Sequence, residues 1–265
     1  MTTMTTAVLA TTTDNIPSWW GVVASAVLVV VAVGISWRER LGLGREVAIA
    51  AVRAFVQLAA VGALLLVVFE KGGLPAAFVW LAVMVVIAGL VAGRRAAGIP
   101  SARQHAWWGI GVAVAVTMGL LLALGVIDAT PQVVIPVGGM VVSTAMVTAG
   151  LALQRTADVV TDHRARVEAR LALGLPARDA FLEPYRTAMR TALTPTVDTT
   201  KVVGLISLPG AMTGLILAGV DPWDAIRYQI VVMYMLLGSA FCAAVLSARL
   251  AQRVLFDDAE RLVRL

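Results

Sequence analysis

Long apolar runs alternate with short polar ones along this chain. A helix that crosses a bilayer needs about 20 mostly apolar residues. Seven stretches approach or exceed that length: residues 19–36, 47–69, 74–93, 107–127, 133–153, 202–220 and 228–248. The pattern predicts an all-α, polytopic membrane protein with about seven transmembrane helices. Residues 1–18 are Thr-rich and read as a disordered, extracytoplasmic lead. Trp19 and Trp20 then mark the membrane surface, where amphipathic rings collect. One long polar stretch, 154–200, separates five spans within 19–153 from two within 201–248, and a polar tail covers 249–265.

Composition supports the membrane assignment. The chain is 60% hydrophobic and 14% charged, with a mean hydropathy of +0.89; soluble domains carry about 25% charged residues. Its net charge of +5 would raise nucleic acid as a partner, but the cations sit between apolar spans, so topology accounts for them and no nucleic acid is implied. Residues 1–37 hold no Lys or Arg, so the positive region of a secretory signal is missing. A single cysteine, Cys242, lies in an apolar run and reads as packing. His105 and His163 fall in polar segments, and no Cys/His metal cluster is available.

The charges also orient the chain. Arg38, Arg40 and Arg45 lie on one side with Arg94, Arg95 and Arg103, the cations of 155–190 and those of 249–264. The alternate connections hold only Lys71 and Arg227. Cation-rich connections stay in the cytoplasm. The N-terminus is therefore expected outside and the C-terminus in the cytoplasm, in a multi-pass protein of the cell membrane.

Within 154–200, Val160, Val167 and Leu171 share a rough helical face, and Leu182, Tyr185, Met189 and Leu193 repeat at helical spacing. Gly174 and Pro176 punctuate the stretch. Pro184 is expected to break or kink the second helix and Pro195 to stop it. Charge and periodicity alone leave two readings: a basic surface lying on anionic membrane lipid, or a docking element for a partner.

Polar groups within the spans are few. Arg53 and Gln57 lie one turn apart in the second span. Arg53 either snorkels to the interface or faces protein, with Asp198 as its expected partner. The fifth span carries Pro136, Gly138, Gly139, Met140, Ser143 and Thr144; the sixth carries Ser207, Pro209, Gly210, Met212, Thr213 and Gly214. Pro and Gly free backbone carbonyls, which inside a bilayer must face protein or water. Both spans are therefore read as broken and as candidates for a path or a moving interface, against the plainer reading of helix packing through small residues. Met140, Met146, Met212, Met233 and Met235 offer thioethers to a soft metal or simply fill space. Carboxylates are missing from the span centres, which disfavours a lasting site for a hard cation; the identity of any metal is left open.

No G-x-x-x-x-G-K-[ST] occurs, and the only lysines are Lys71 and Lys201, so the chain has no P-loop of its own. It also lacks H-E-x-x-H, G-x-S-x-G and paired in-membrane aspartates, which disfavours an enzyme.

The E-A-x-x-x-x-G spacing of Glu168, Ala169 and Gly174 resembles the cytoplasmic loop by which many ABC-transporter membrane subunits dock onto a separate ATPase. From Arg53 to about Val232 the chain resembles the ferrous-iron-export permease family of ABC transporters, whose plant relatives are linked to aluminium tolerance. The resemblance rests on Arg53-Ala54-Phe55-Val56-Gln57-Leu58, Gly139-Met140, the run from Arg190 to Pro195, the run from Lys201 to Gly219, and Tyr228-Gln229-Ile230-Val231-Val232. Ala211 and Leu215 stand where the family carries Met and Gln, which opens the possibility of altered specificity. The resemblance implies a permease, paired as a homodimer, that exports iron or another metal or small solute. It would bind no cofactor itself, leaving ATP and Mg to a cytoplasmic ABC ATPase subunit. Its implied site set is Glu168, Ala169 and Gly174 for docking. Arg53, Gln57, Met140, Ser143, Thr144, Ser207, Pro209, Gly210, Met212, Thr213, Gly214 and Gln229 are the set for the path. The competing reading is a channel or secondary carrier that uses no ATPase.

Overall fold

A computed structural model of the chain describes residues 18–96, 98–257 and 261–263. The expected lead, apart from Ser18, lies outside them, as does part of the tail. The described residues form an all-helical structure in two compact units.

The first unit holds α1 (Trp19–Arg38) and α2 (Gly44–Val67), which pack against each other. The Ser18 hydroxyl caps α1 by accepting from the Gly21 amide at 3.3 Å. The outward faces are Val-, Leu- and Trp-rich and exposed, as expected where lipid replaces water as solvent.

The second unit holds α3 (Gly73–Gly93), α4 (Ala102–Ala123), α5 (Pro131–Asp162), α6 (Arg164–Ala172), α7 (Ala177–Ala180), α8 (Leu182–Val202), most of α9 (Gly210–Leu217), and α10 (Pro222–Val254). Its core is made by α3, α4, α5 and α10, with α8 against α5 and α10. Many of the buried positions are alanines, among them Ala88, Ala92, Ala106, Ala113, Ala145, Ala149, Ala243 and Ala244. Small side chains let backbones approach when apolar burial gives no drive inside lipid. Gly89 illustrates the limit, because a Cβ there would stand 2.8 Å from the Trp107 Cα.

Among the described residues, six helices are long and apolar enough to cross a membrane: α1, α2, α3, α4, α5 and α10. The chain is a polytopic, multi-pass membrane protein. The seventh expected span, 202–220, is not one continuous helix. Val203 is extended, Gly204 takes a φ of +82°, and α9 is only eight residues long. Gly219, at φ +85°, ends α9 with Val220 N–H donating to Leu215 O at 3.0 Å. The Gly-Leu-Ile-Ser-Leu-Pro-Gly run explains the break, since it supplies a left-handed position and a missing amide in place of a helical ladder.

The fifth span corrects the expectation of a second break. α5 runs 32 residues straight through Pro136, Gly138 and Gly139. Pro136 removes one bond, to the carbonyl of Gln132, an exposed residue in the first turn of α5. Pro195 likewise lies inside α8 and does not stop it, and Pro184 sits in the first turn of α8, where a missing amide is harmless. α5 and α10, at 32 and 33 residues, measure about 48 Å at 1.5 Å per residue, more than the roughly 30 Å hydrocarbon layer. Most of 154–200 is consequently helix.

Candidate functional site

The break after α8 creates the main candidate site. Val203 N-terminal to the turn pairs with Ser207 in a short parallel bridge, and Gly204 N–H donates to Ser207 O at 3.0 Å. This fold-back lays Ser207, Leu208, Pro209 and Gly210 along a cavity of about 430 Å³. Its other walls are Met140 and Thr144 of α5, Thr196, Thr199 and Thr200 of α8, and Gln229 and Met233 of α10. A second cavity of about 470 Å³ is lined by Met212, Ile226 and Tyr234 among others. Thr200, Val203, Leu208, Gln229 and Met233 line both.

Gln229 is the chemical centre of the pair. It is 4% exposed, and its Oε1 has no hydrogen-bond partner among the described residues. A buried acceptor left unpaired costs on the order of 1–3 kcal/mol, and this oxygen is covered, so a donor reaches it only when the surrounding side chains shift. The hydroxyls around it are differently placed. Thr199 and Thr200 donate to the carbonyls of Pro195 and Thr196, each at 2.8 Å. Their oxygens keep acceptor capacity but spend their protons on the helix. The lining carries no ionised side chain, and no group of three His, Cys, Asp or Glu residues is assembled among the described residues.

Of the expected path residues, the structure brings together Met140, Thr144, Ser207, Pro209, Gly210, Met212 and Gln229. Ser143 is exposed on α5 and does not line either cavity. Thr213 donates to Pro209 O at 3.2 Å and so stabilises the start of α9. A Cβ at Gly210 or Gly214 would meet nothing within 4 Å, so neither is a close packing contact within the chain, whereas one at Gly139 would stand 3.2 Å from Met84 Cε. Arg53 and Gln57 are exposed on α2 in the first unit. Asp198, the expected partner of Arg53, is ion-paired with Lys201 at 3.0 Å. Thr196, Thr199 and Thr200 went unread in the sequence; their i, i+3, i+4 spacing was the available signal. A larger cavity of about 750 Å³ lies in the first unit beside Ser36, Trp37, Arg38, Arg40 and Arg45, and holds none of the expected residues.

The stretch with the E-A-x-x-x-x-G spacing forms a compact knob. Val167 of α6 is fully buried beneath it, while Glu168, Ala169 and Gly174 are exposed. Gly174 has φ +85°, its N–H donates to Leu171 O at 2.9 Å, and Leu175 N–H donates to Arg170 O at 3.2 Å. Those two bonds are a Schellman ending, which needs a residue at ease in the left-handed region. Arg164 bonds Glu168 Oε1 at 2.8 Å and the carbonyls of Leu262 and Val263, tying the knob to the C-terminal segment. Arg170 binds Glu183 and Arg166 lies 3.3 Å from it. The Arg170 hydrogen bond and charge, with Arg166 beside them, hold the Glu183 carboxyl below its ordinary range. Leu173, 80% exposed at the tip, faces outward.

Six membrane-length helices among the described residues, with an uncharged cavity pair and an exposed knob, define a multi-pass membrane protein. The chain belongs to the uncharacterised protein family UPF0014, whose profile matches residues 19–256. It is 42% identical over 242 residues to UPF0014 membrane protein STAR2 of Oryza sativa subsp. japonica, covering 91% of this chain and 84% of that one. It is 37% identical over 242 residues to the Arabidopsis thaliana protein ALUMINUM SENSITIVE 3, with 90% and 88% covered. It is 35% identical over 236 residues to the probable iron export permease protein FetB of Escherichia coli (strain K12), with 89% and 91% covered. No solved structure matches the chain.

Proposed function

We propose that this chain is the membrane permease subunit of an ABC-type exporter for iron or another metal or small solute. A separate cytoplasmic ATPase subunit, holding ATP and Mg, drives it, and two copies of the permease pair. In this reading the N-terminus lies outside, and the knob around Glu168, Ala169 and Gly174 is the cytoplasmic docking element. Closure of the ATPase pushes on α6, and the push passes through α5 and α8 to the walls of the Gln229 cavities. A site walled by helices that can shift is how alternating access is built.

The observation that carries the reading is the unpaired Gln229 Oε1 where the two cavities share walls. A transit site must bind well enough to admit its cargo and weakly enough to release it. A lining of hydroxyls, thioethers and one amide supplies such weak neutral ligands. A relative named a probable iron export permease is consistent with this. The test is purification of the tagged chain from its native membrane under mild detergent. An ABC ATPase subunit should accompany it in near-equal amount. Its absence, with the chain folded and active alone in moving a solute, would favour the channel or carrier instead.

A further inference from the structure

A groove of about 490 Å³ runs between α8 and α10 and shares no lining residue with the Gln229 cavities. Its floor is apolar, with Met189, Leu193 and Val197 from successive turns of α8 and Phe241 and Val245 from α10. Phe241 and Val245 belong to a membrane-length helix and are 42% and 36% exposed. The polar end of the groove is cationic. Arg186 and Arg190, one turn apart on α8, are both exposed and appear in no ion pair among the described residues. The other charges that line it, Asp198 and Lys201, neutralise each other at 3.0 Å. Close by, Arg249 stacks over the Tyr185 ring at 4.2 Å and adds a third cation near that end.

An apolar trough beside a membrane-length helix, ending in two guanidinium groups outside any ion pair of the described residues, with Arg186 also acting on the Glu183 charge from beyond ion-pair distance, has the amphipathic layout of a phospholipid. Guanidinium matches phosphate oxygens with paired donors. We propose that this groove holds one anionic phospholipid, its phosphate against Arg186 and Arg190 and its acyl chains along Leu193, Val197, Phe241 and Val245. The inference stands apart from the transport reading, because it needs only that α10 spans the bilayer. A lipid seated there bridges α8 to α10, the two helices that also wall the Gln229 cavities.

The test uses the full chain in nanodiscs of phosphatidylglycerol and phosphatidylcholine, with retained lipid counted by native mass spectrometry after transfer to detergent. Wild type should retain one phosphatidylglycerol in preference to phosphatidylcholine. A surface cation near an anionic membrane contributes on the order of a fivefold preference, so the double variant Arg186→Ala/Arg190→Ala should lose most of it. The double variant Arg186→Lys/Arg190→Lys, which keeps charge but not the planar fork, should retain an intermediate preference and controls for folding. Inorganic phosphate in excess should not displace the lipid, because the acyl contacts would be missing. Equal retention of both lipids by wild type would overturn the proposal. So would displacement by inorganic phosphate alone, or a loss of dimer on Arg186→Ala/Arg190→Ala with lipid unchanged, which would mark the groove as a contact between copies.

Discussion

Arg170 and Glu183 meet across the turn at Gly174, with the guanidinium 2.5 Å from the carboxylate. Arg170 also donates to Ala180 O, so one side chain ties the end of α6 to the segment leading into α8 at two points. The knob is thus fastened at its base and free at its tip.

That fastening should respond to acid. Glu183 is held below its ordinary range by Arg170 and then Arg166. A carboxyl depressed in the folded state contributes above its unfolded pKa and loses that contribution as pH falls through the folded value. Protection of the amides across residues 170–183, measured against their intrinsic exchange rates, should therefore fall on the acid side of the ordinary glutamate range. Glu183→Gln should show fast exchange with little pH dependence beyond the intrinsic rate. An unchanged profile in the variant would mean that the pair does not order the knob. Glu183 is exposed and Arg170 partly so, and the effect should also shrink with salt.

Gly174→Val places a β-branched residue at φ +85°. The left-handed region costs an ordinary L-residue about 1–2 kcal/mol, and a branched Cβ more. No atom would crowd the new Cβ, so the penalty falls on the backbone of an exposed turn and leaves the core untouched. Membrane abundance should stay near wild type while ATPase co-purification falls several-fold. Parallel loss of both would assign Gly174 to folding.

Gln229→Leu removes the unpaired amide oxygen and keeps the volume nearly constant. Burying an unpaired acceptor costs on the order of 1–3 kcal/mol. Thermal unfolding in detergent should show the variant as stable as wild type or more so, while export drops at least tenfold. Export at the wild-type rate would remove Gln229 from the transit site.

Two glycines separate packing from passage. A Cβ at Gly109 would collide with the Ser247 hydroxyl and stand 2.9 Å from its backbone nitrogen. Gly109→Ala should cost about 1–3 kcal/mol by overpacking and lower the folded protein. Gly210 lines the 430 Å³ cavity with open space around its Cβ position. Gly210→Leu should leave abundance and ATPase binding intact and reduce export. Western blots and export assays run in parallel distinguish the two, and equal loss of all three readouts at Gly210 would make it a packing residue.

The membrane helices were legible because an apolar run of about 20 residues has few other fates. The knob was legible too, since Gly174 after an amphipathic helix is a chemical stop signal. Proline was misread in three places for one reason. A missing amide matters only where the chain would otherwise use it. Pro184 sits in a first turn, and Pro136 and Pro195 each give up one bond to exposed residues at their helices' surface, Gln132 and Thr191. Treating Pro195 as a stop hid the hydroxyl face of Thr196, Thr199 and Thr200, which needs α8 to continue to Val202. The run 202–220 is apolar enough to count as a span, yet Gly204 and Pro209 divide it, and hydropathy is blind to backbone conformation. Gln229 was singled out only through family resemblance; its burial without a partner is a property of the folded bundle.

The most direct test of the account is transport by the chain and its co-purified ATPase in sealed proteoliposomes, with ferrous iron as the first cargo offered and the knob facing outward. Uptake into the lumen should require ATP and Mg together, should vanish when the ATPase is omitted, and should fall at least tenfold with Gln229→Leu. Iron movement by the permease alone, at the same rate with and without ATP, would contradict the account and make the chain a channel or carrier.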